Sequence, residues 1–284
     1  MSYFLDLRAE SCGGSCADDV TVKIGDQIID VADLVALMRG RNVLLGTHGF
    51  NVNRENGIAS LTSWESKLQL GSALFIGVLW PGDAKLPIFI DYPCEGDEAI
   101  RSGKLLGPFL DKYFADVASL SFVSHSLGAR MVLETIAQMN RNRIVRRLVL
   151  MAGAIEDNCL TSEYQNSADK VDSISVLASR GDWVLKFAFP PGNLARGIIS
   201  RGHPYWSSAL GREGPAPMRD NIASDWQMPD AWGYGHLDYL RKQSGPPLPL
   251  PVTLPIGNPA AVKVPGKPTD ESAWSAGFVS TRFE

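Results

Sequence analysis

The chain reads as an α/β protein: a mostly parallel central sheet with helices on both faces. Three observations predict this. Buried-type apolar runs of four to eight residues alternate with segments of helical periodicity, as a parallel sheet with crossover helices requires. The 284 residues are 45% hydrophobic, enough for one substantial core. And one apolar run ends in a turn of small residues that opens directly into an amphipathic helix.

In order, Tyr3 to Leu7 is a short strand, followed by a Gly/Cys/Asp loop and a second strand from Val20 to Ile24. Gly25-Asp26 marks a turn, and Val31 to Met38 a short helix closed by Gly40. From Asn42 a buried strand runs into a His48-Gly49-Phe50 loop, continued by Asn51-Val52-Asn53. Ile58 to Leu70 reads as helix and Ala73 to Trp80 as strand. Residues 84–96, with Pro87, Pro93 and Gly96, read as irregular, and Glu98 to Phe114 as helix.

The next stretch organises the rest. Leu120-Ser121-Phe122-Val123 is a buried strand, and Ser124-His125-Ser126-Leu127-Gly128 a tight turn. A helix follows, with Ala129, Val132, Leu133 and Ile136 on its apolar side and Arg130, Glu134 and Gln138 on the other. The turn is a G-x-S-x-G nucleophile elbow with Ser124 in place of the first glycine. Where strand and helix nearly collide, the positions two before and two after the nucleophile must be small. Ser126 is then expected in a strained backbone conformation with its hydroxyl exposed, beside the first N–H groups of the helix.

Beyond it, Arg147 to Ala154 and Ser173 to Ser179 are two more buried strands, and Arg180-Gly181-Asp182 sets an acid just past the second. Open α/β sheets gather their ligands at that end of their strands. Residues 183–235 are long and irregular, with Trp183, Trp206, Trp226 and Trp232. They either roof a pocket as a lid or cap, or pack the loop onto the core. Gly233-Tyr234-Gly235 delivers His236, and Leu237 to Lys242 reads as a helix start. The expected organisation is one domain over 1–244 and a Pro-rich arm over 245–284, where Pro246, Pro247, Pro249 and Pro251 preclude regular helix or central strand.

Charge and composition exclude several functions. A formal net charge of -4 offers no electrostatic footprint for nucleic acid. The one dense basic run (Arg141, Arg143, Arg146, Arg147) follows a helix and reads as a solvated connection. No apolar stretch approaches the ~20 residues of a membrane span. Met1 to Asp6 lacks the basic and apolar regions of a signal peptide, so a cytoplasmic protein is expected. Of the four cysteines, Cys12 and Cys16 are separated by three residues with no histidine nearby, so no metal site and no cofactor are expected.

Ser126, Asp182 and His236 fall in the chain order nucleophile, acid, base. With His48-Gly49-Phe50-Asn51, the strand ending Trp80-Pro81, Ser124 to Gly128, Ser179 to Asp182 and Gly235-His236, the chain resembles the α/β-hydrolase superfamily over roughly residues 43–240. Within it the likeness is to a little-characterised bacterial group of predicted serine esterases. The resemblance implies an α/β-hydrolase fold with Ser126 as nucleophile, His236 as general base then acid, and Asp182 orienting His236. It also implies an oxyanion hole of the Phe50 and Leu127 N–H groups.

Glu156 and Asp157 remain alternatives for the acid, and His203 for the base. His48 and His125 read as structural histidines. The expected activity is hydrolysis of a small-molecule carboxylic ester with an apolar part. A thioesterase, amidase or lactonase with the same triad is an alternative, and so is a catalytically silent scaffold that has kept the fold. The Pro-rich arm offers a route to a homo-oligomer.

Overall fold

In the computed structural model, residues 2–9, 15–68, 70–83, 88–140, 145–187 and 208–239 are described. Among them nine strands form one sheet: β1 (Tyr3–Arg8), β2 (Cys16–Ile24), β3 (Gln27–Ile28), β4 (Asn42–Thr47), β5 (Leu74–Leu79), β6 (Ser119–His125), β7 (Val145–Met151), β8 (Val171–Ala178) and β9 (Ile222–Gln227). The spatial order is β3-β2-β1-β5-β4-β6-β7-β8-β9. From β1 to β9 neighbours pair in parallel, while β1–β2 and β2–β3 are antiparallel hairpin pairs.

The helices are α1 (Val31–Met38), α2 (Arg54–Lys67), α3 (Ile88–Tyr113), α4 (Gly128–Gln138), α5 (Gln165–Ala168), α6 (Trp183–Phe187) and α7 (Leu210–Glu213). Strand alternation divides them between two cores. Leu5, Val43, Leu45, Leu120 and Phe122 point to the face covered by Leu34 of α1, Leu106 and Leu110 of α3, and Val132 and Ile136 of α4. Phe4, Leu44, Phe75 and Val123 point the other way, onto Leu61 and Trp64 of α2 and onto Trp232, Tyr234 and Tyr239.

Several sequence expectations are corrected. β2 begins at Cys16, inside the stretch read as a loop, because pairing along β1 supplies hydrogen bonds that local propensity does not reveal. α2 starts at Arg54 rather than Ile58: the Asn53 side chain accepts the Asn56 N–H (2.9 Å) and caps it. α3 runs from Ile88 and passes through Pro93, so much of 84–96 is helical. Proline weakens a helix interior by about 3 kcal/mol; set against it, Leu106 and Leu110 farther along α3 are fully buried.

Arg146 and Arg147 lie within β7, not in a solvated connection; Arg141 and Arg143 lie outside the described residues. The segment 183–235 is not irregular throughout, since β9 pairs in parallel with β8 at the sheet's edge. Of its tryptophans Trp232 is buried and Trp183 is exposed, while Trp206 lies outside the described residues. Leu237 to Tyr239 form a turn and bend rather than a helix. The Pro-rich arm, 245–284, lies outside the described residues. Among those described, no helix is long and apolar enough to cross a membrane.

Candidate active site

The site is built where β4, β6 and β8 end. At the end of β6 the chain turns into α4 through Ser126, whose φ is +54°, the left-handed region an L-residue rarely adopts. The turn is held from both sides: the Ser126 N–H donates to Met151 O (2.9 Å), and its carbonyl accepts the N–H groups of Ala129 and Ala154 (3.1 Å each). Gly128 is required by close approach, because a Cβ there would stand 2.5 Å from His48 O. Ser124 is fully buried, and its Oγ has no hydrogen-bond partner among the described residues.

β8 ends in the turn that carries Asp182. This carboxylate is fully buried, and its two oxygens are divided between two tasks. Oδ1 accepts the Leu185 N–H (2.9 Å), capping α6, and Oδ2 lies 2.7 Å from His236 Nδ1. His236 Nε2 in turn lies 2.9 Å from Ser126 Oγ. An ionised carboxylate accepts only, so His236 Nδ1 carries the hydrogen and Nε2 is left to accept the Ser126 hydroxyl proton. The three side chains, 54 and 56 residues apart along the chain, thus form one continuous hydrogen-bonded line. Ser126 as a whole is only 4% exposed, and His236 Nε2 lies against its hydroxyl.

The loop after β4 lies against the elbow. A Cβ on Gly49 would meet Ser126 Cβ at 2.9 Å, so only glycine lets Phe50 follow so closely past the serine. His48 fixes this loop. Its Nδ1–H donates to Gly49 O (2.9 Å), its carbonyl accepts from Trp80 Nε1 (2.9 Å), and its ring stacks on Trp80 at 5.7 Å. Burial, then the nearby Arg8 guanidinium, lowers its pKa to about 3, so it is neutral. Farther along, Val52 pairs with Gly82, and Arg8 donates to Val52 O and pairs with Asp83.

The alternatives fare differently. Glu156 is tied to Arg130 Nη2 (2.8 Å), whose Nη1 makes a bidentate contact with Glu163 (2.9 Å). Arg130, expected on the polar side of the helix, is therefore buried: two carboxylates compensate its desolvation. His203 lies outside the described residues. Among the described residues no group of three or more His, Cys, Asp and Glu converges to hold a metal ion.

Two contacts went unread in the sequence. His125 Nε2 lies 2.7 Å from His236 O, and Ser179 Oγ donates to Tyr234 O (2.6 Å). Both residues stand in motifs already singled out, but nothing in a linear pattern says where their side chains reach.

A mostly parallel sheet with helices on both faces, a strained serine turn between strand and helix, and a histidine and an acid from later loops define an α/β hydrolase. A family model described as "Alpha/beta hydrolase of unknown function (DUF900)" matches residues 29–214, and the chain belongs to that family. The match includes Ser126 and Asp182; His236 lies beyond it. A search of curated proteins finds no match.

Solved structures similar to the chain include a crystal structure of esterase PE8 (15% identity, TM-score 0.38, covering 70% of this chain and 86% of that one). TT1662 from Thermus thermophilus matches at 14% identity and TM-score 0.37, over 70% of this chain and 82% of that one. Phospholipase PlaB from Legionella pneumophila matches at 16% identity and TM-score 0.29, over 50% of this chain and 39% of that one.

Proposed function

We propose that the chain is a serine hydrolase that cleaves a carboxylic ester through an acyl-enzyme. The observation that carries this reading is the line Ser126 Oγ–His236 Nε2 (2.9 Å) and His236 Nδ1–Asp182 Oδ2 (2.7 Å). His236 takes the Ser126 proton as the hydroxyl oxygen attacks the ester carbonyl, and then gives it to the departing alcohol. Water repeats the cycle on the acyl-enzyme and releases the acid. Asp182 holds the tautomer and balances the imidazolium. The N–H groups of Leu127, at the start of α4, and of Phe50, in the loop beside Ser126, take the oxyanion. An apolar substrate is favoured by the exposed side chains that directly follow two of the three residues: Trp183 after Asp182, and Leu237 after His236.

A silent scaffold would let Asp182 or His236 drift out of hydrogen-bond reach, and the distances above argue against it. A fluorophosphonate probe is expected to label the wild-type chain at Ser126, and Ser126→Ala to abolish both labelling and hydrolysis of short aryl esters. Full activity in that variant would refute the proposal. Matched thioester, amide and lactone substrates assayed beside the aryl esters rank the bond cleaved. The Pro-rich arm is proposed as the route to any homo-oligomer, which the mass in solution of a chain ending at residue 244 would test.

A further inference from the structure

The segment that carries His236 has little regular structure of its own. Gly233 sits at φ +55°, the Gly235 N–H donates to Asp238 Oδ2 (2.6 Å), and past Trp232 the described chain holds neither helix nor strand. Yet His236 must meet Asp182 and Ser126 at once, each through a different ring nitrogen. A loop that is free to shift by 1 Å would lose one contact or the other.

Side chains from the other two turns hold it. From the acid's turn, Ser179 Oγ–H donates to Tyr234 O (2.6 Å), and Ser179 Oγ also accepts the Gly181 N–H (3.1 Å). From the elbow, His125 Nε2–H donates to His236 O (2.7 Å). A carbonyl can only accept, so this nitrogen must carry the hydrogen.

The His125 ring is wedged in place. Its centroid lies 4.9 Å from the His236 ring and 6.2 Å from the Tyr239 ring, and its Nδ1 stands 3.0 Å from where a Cβ on Gly49 would be. It therefore touches the loop after β4 on one side and the histidine loop on the other. Burial, then the neighbouring His236, lowers its pKa to about 4, which keeps it a neutral donor and adds no second charge when His236 is protonated.

We propose that His125 is a positioning residue for His236: with Ser179 it grips the histidine loop by two backbone carbonyls, Tyr234 and His236, and so fixes the imidazole between Asp182 and Ser126. The middle position before the nucleophile in the elbow is then a contact point rather than a variable one. This deepens the hydrolase reading and rests on it for its kinetic consequences, but the grip itself is a structural property that can be read without turnover.

The test compares wild type with His125→Phe, which keeps a ring and loses the donor, with His125→Gln, which keeps an N–H, and with Ser179→Ala. Two readouts are taken on folded protein. The first is kcat and KM on a short aryl ester together with the fluorophosphonate labelling rate. The second is the low-field proton resonance of the His236–Asp182 hydrogen bond.

His125→Phe is expected to lower kcat and labelling roughly ten- to a hundredfold with little change in KM, and to broaden the resonance. His125→Gln is expected to recover most of both. Ser179→Ala is expected to give a smaller loss in the same direction, and it carries the test if His125→Phe does not fold. Wild-type kcat and an unchanged resonance in the donor-less variants overturn the proposal. If the wild-type chain is not labelled at all, the hydrolase reading falls, and the resonance still decides whether His125 holds His236.

Discussion

Acid is expected to destabilise this fold well before its carboxylates are protonated, because two buried histidines refuse a proton that the unfolded chain accepts. The pKa of His48 is lowered from 6.5 to about 3, by burial and then by Arg8; that of His125 is lowered from 6.5 to about 4, by burial and then by His236. Below about pH 6.5 the unfolded chain takes up two protons that the folded chain does not, so stability falls as pH falls. The loss grows until the folded-state pKa values are reached. Each proton contributes about 1.4 kcal/mol per pH unit, so two protons over about 1.5 units, down to about pH 5, cost about 4 kcal/mol. That is a large share of the roughly 5–15 kcal/mol that holds a typical domain folded.

Urea unfolding followed by tryptophan fluorescence at about pH 7 and about pH 5 measures it. His48→Gln isolates one of the two terms: the variant is less stable throughout, but its loss between the two pH values is smaller than wild type's by about 2 kcal/mol. Parallel pH dependences for wild type and variant would refute the reasoning, since they would mean that His48 titrates alike in both states.

Asp182→Asn is expected to lower kcat by about 10⁴-fold with little change in melting temperature. The amide oxygen can still accept the Leu185 N–H, but an NH₂ group facing His236 Nδ1 moves the imidazole hydrogen to Nε2 and blocks proton removal from Ser126. Ser124→Ala is expected to stabilise the fold by about 1 kcal/mol in denaturant titration, because it removes a buried hydroxyl with no hydrogen-bond partner among the described residues. Arg130→Met is expected to cost about 3–5 kcal/mol, since it leaves the carboxylate of Glu156 buried and unpaired, and adding Glu156→Gln is expected to restore part of the loss. Failure of the second change to help would locate the cost elsewhere.

The parallel strands were legible because they are buried on both faces and read as continuous apolar runs bounded by turn residues. β5 differs from its expected span by a residue at each end, and α1 matches at both. Elements stabilised by partners distant in sequence were harder to see. β9 carries Asp225 and Trp226 and gains its order by pairing with β8 at the sheet's edge, a contact absent from its local pattern. Arg130 looked like a surface residue because charge alone was read; its two carboxylate partners lie 26 and 33 residues on. The order Ser126, Asp182, His236 was visible because the fold's topology fixes the sequence in which the strand ends are reached. What the order could not reveal is the set of side chains, His125 and Ser179, that hold the last of the three in place.

The serine at position 124 shows which parts of the elbow pattern are obligatory. Gly128 faces backbone: His48 O would lie 2.5 Å from any Cβ there, and a carbonyl fixed by Trp80 Nε1 cannot yield. Gly49 faces the elbow itself, where a Cβ would stand 2.9 Å from Ser126 Cβ, so both of these glycines mark where one turn presses on another. Ser124 is placed differently. It pairs in register with Thr47 on the neighbouring strand, it has a Cβ and is fully buried, and among the described residues neither hydroxyl has a hydrogen-bond partner. The requirement at that position is therefore a limit on volume rather than on the presence of a Cβ, and serine falls within it. The same distinction explains how His125 can be large. The positions pressed against another turn, as Gly128 is by His48 O and Gly49 by Ser126, are the ones that must be glycine, and a residue directed between two turns can be as large as the gap it bridges.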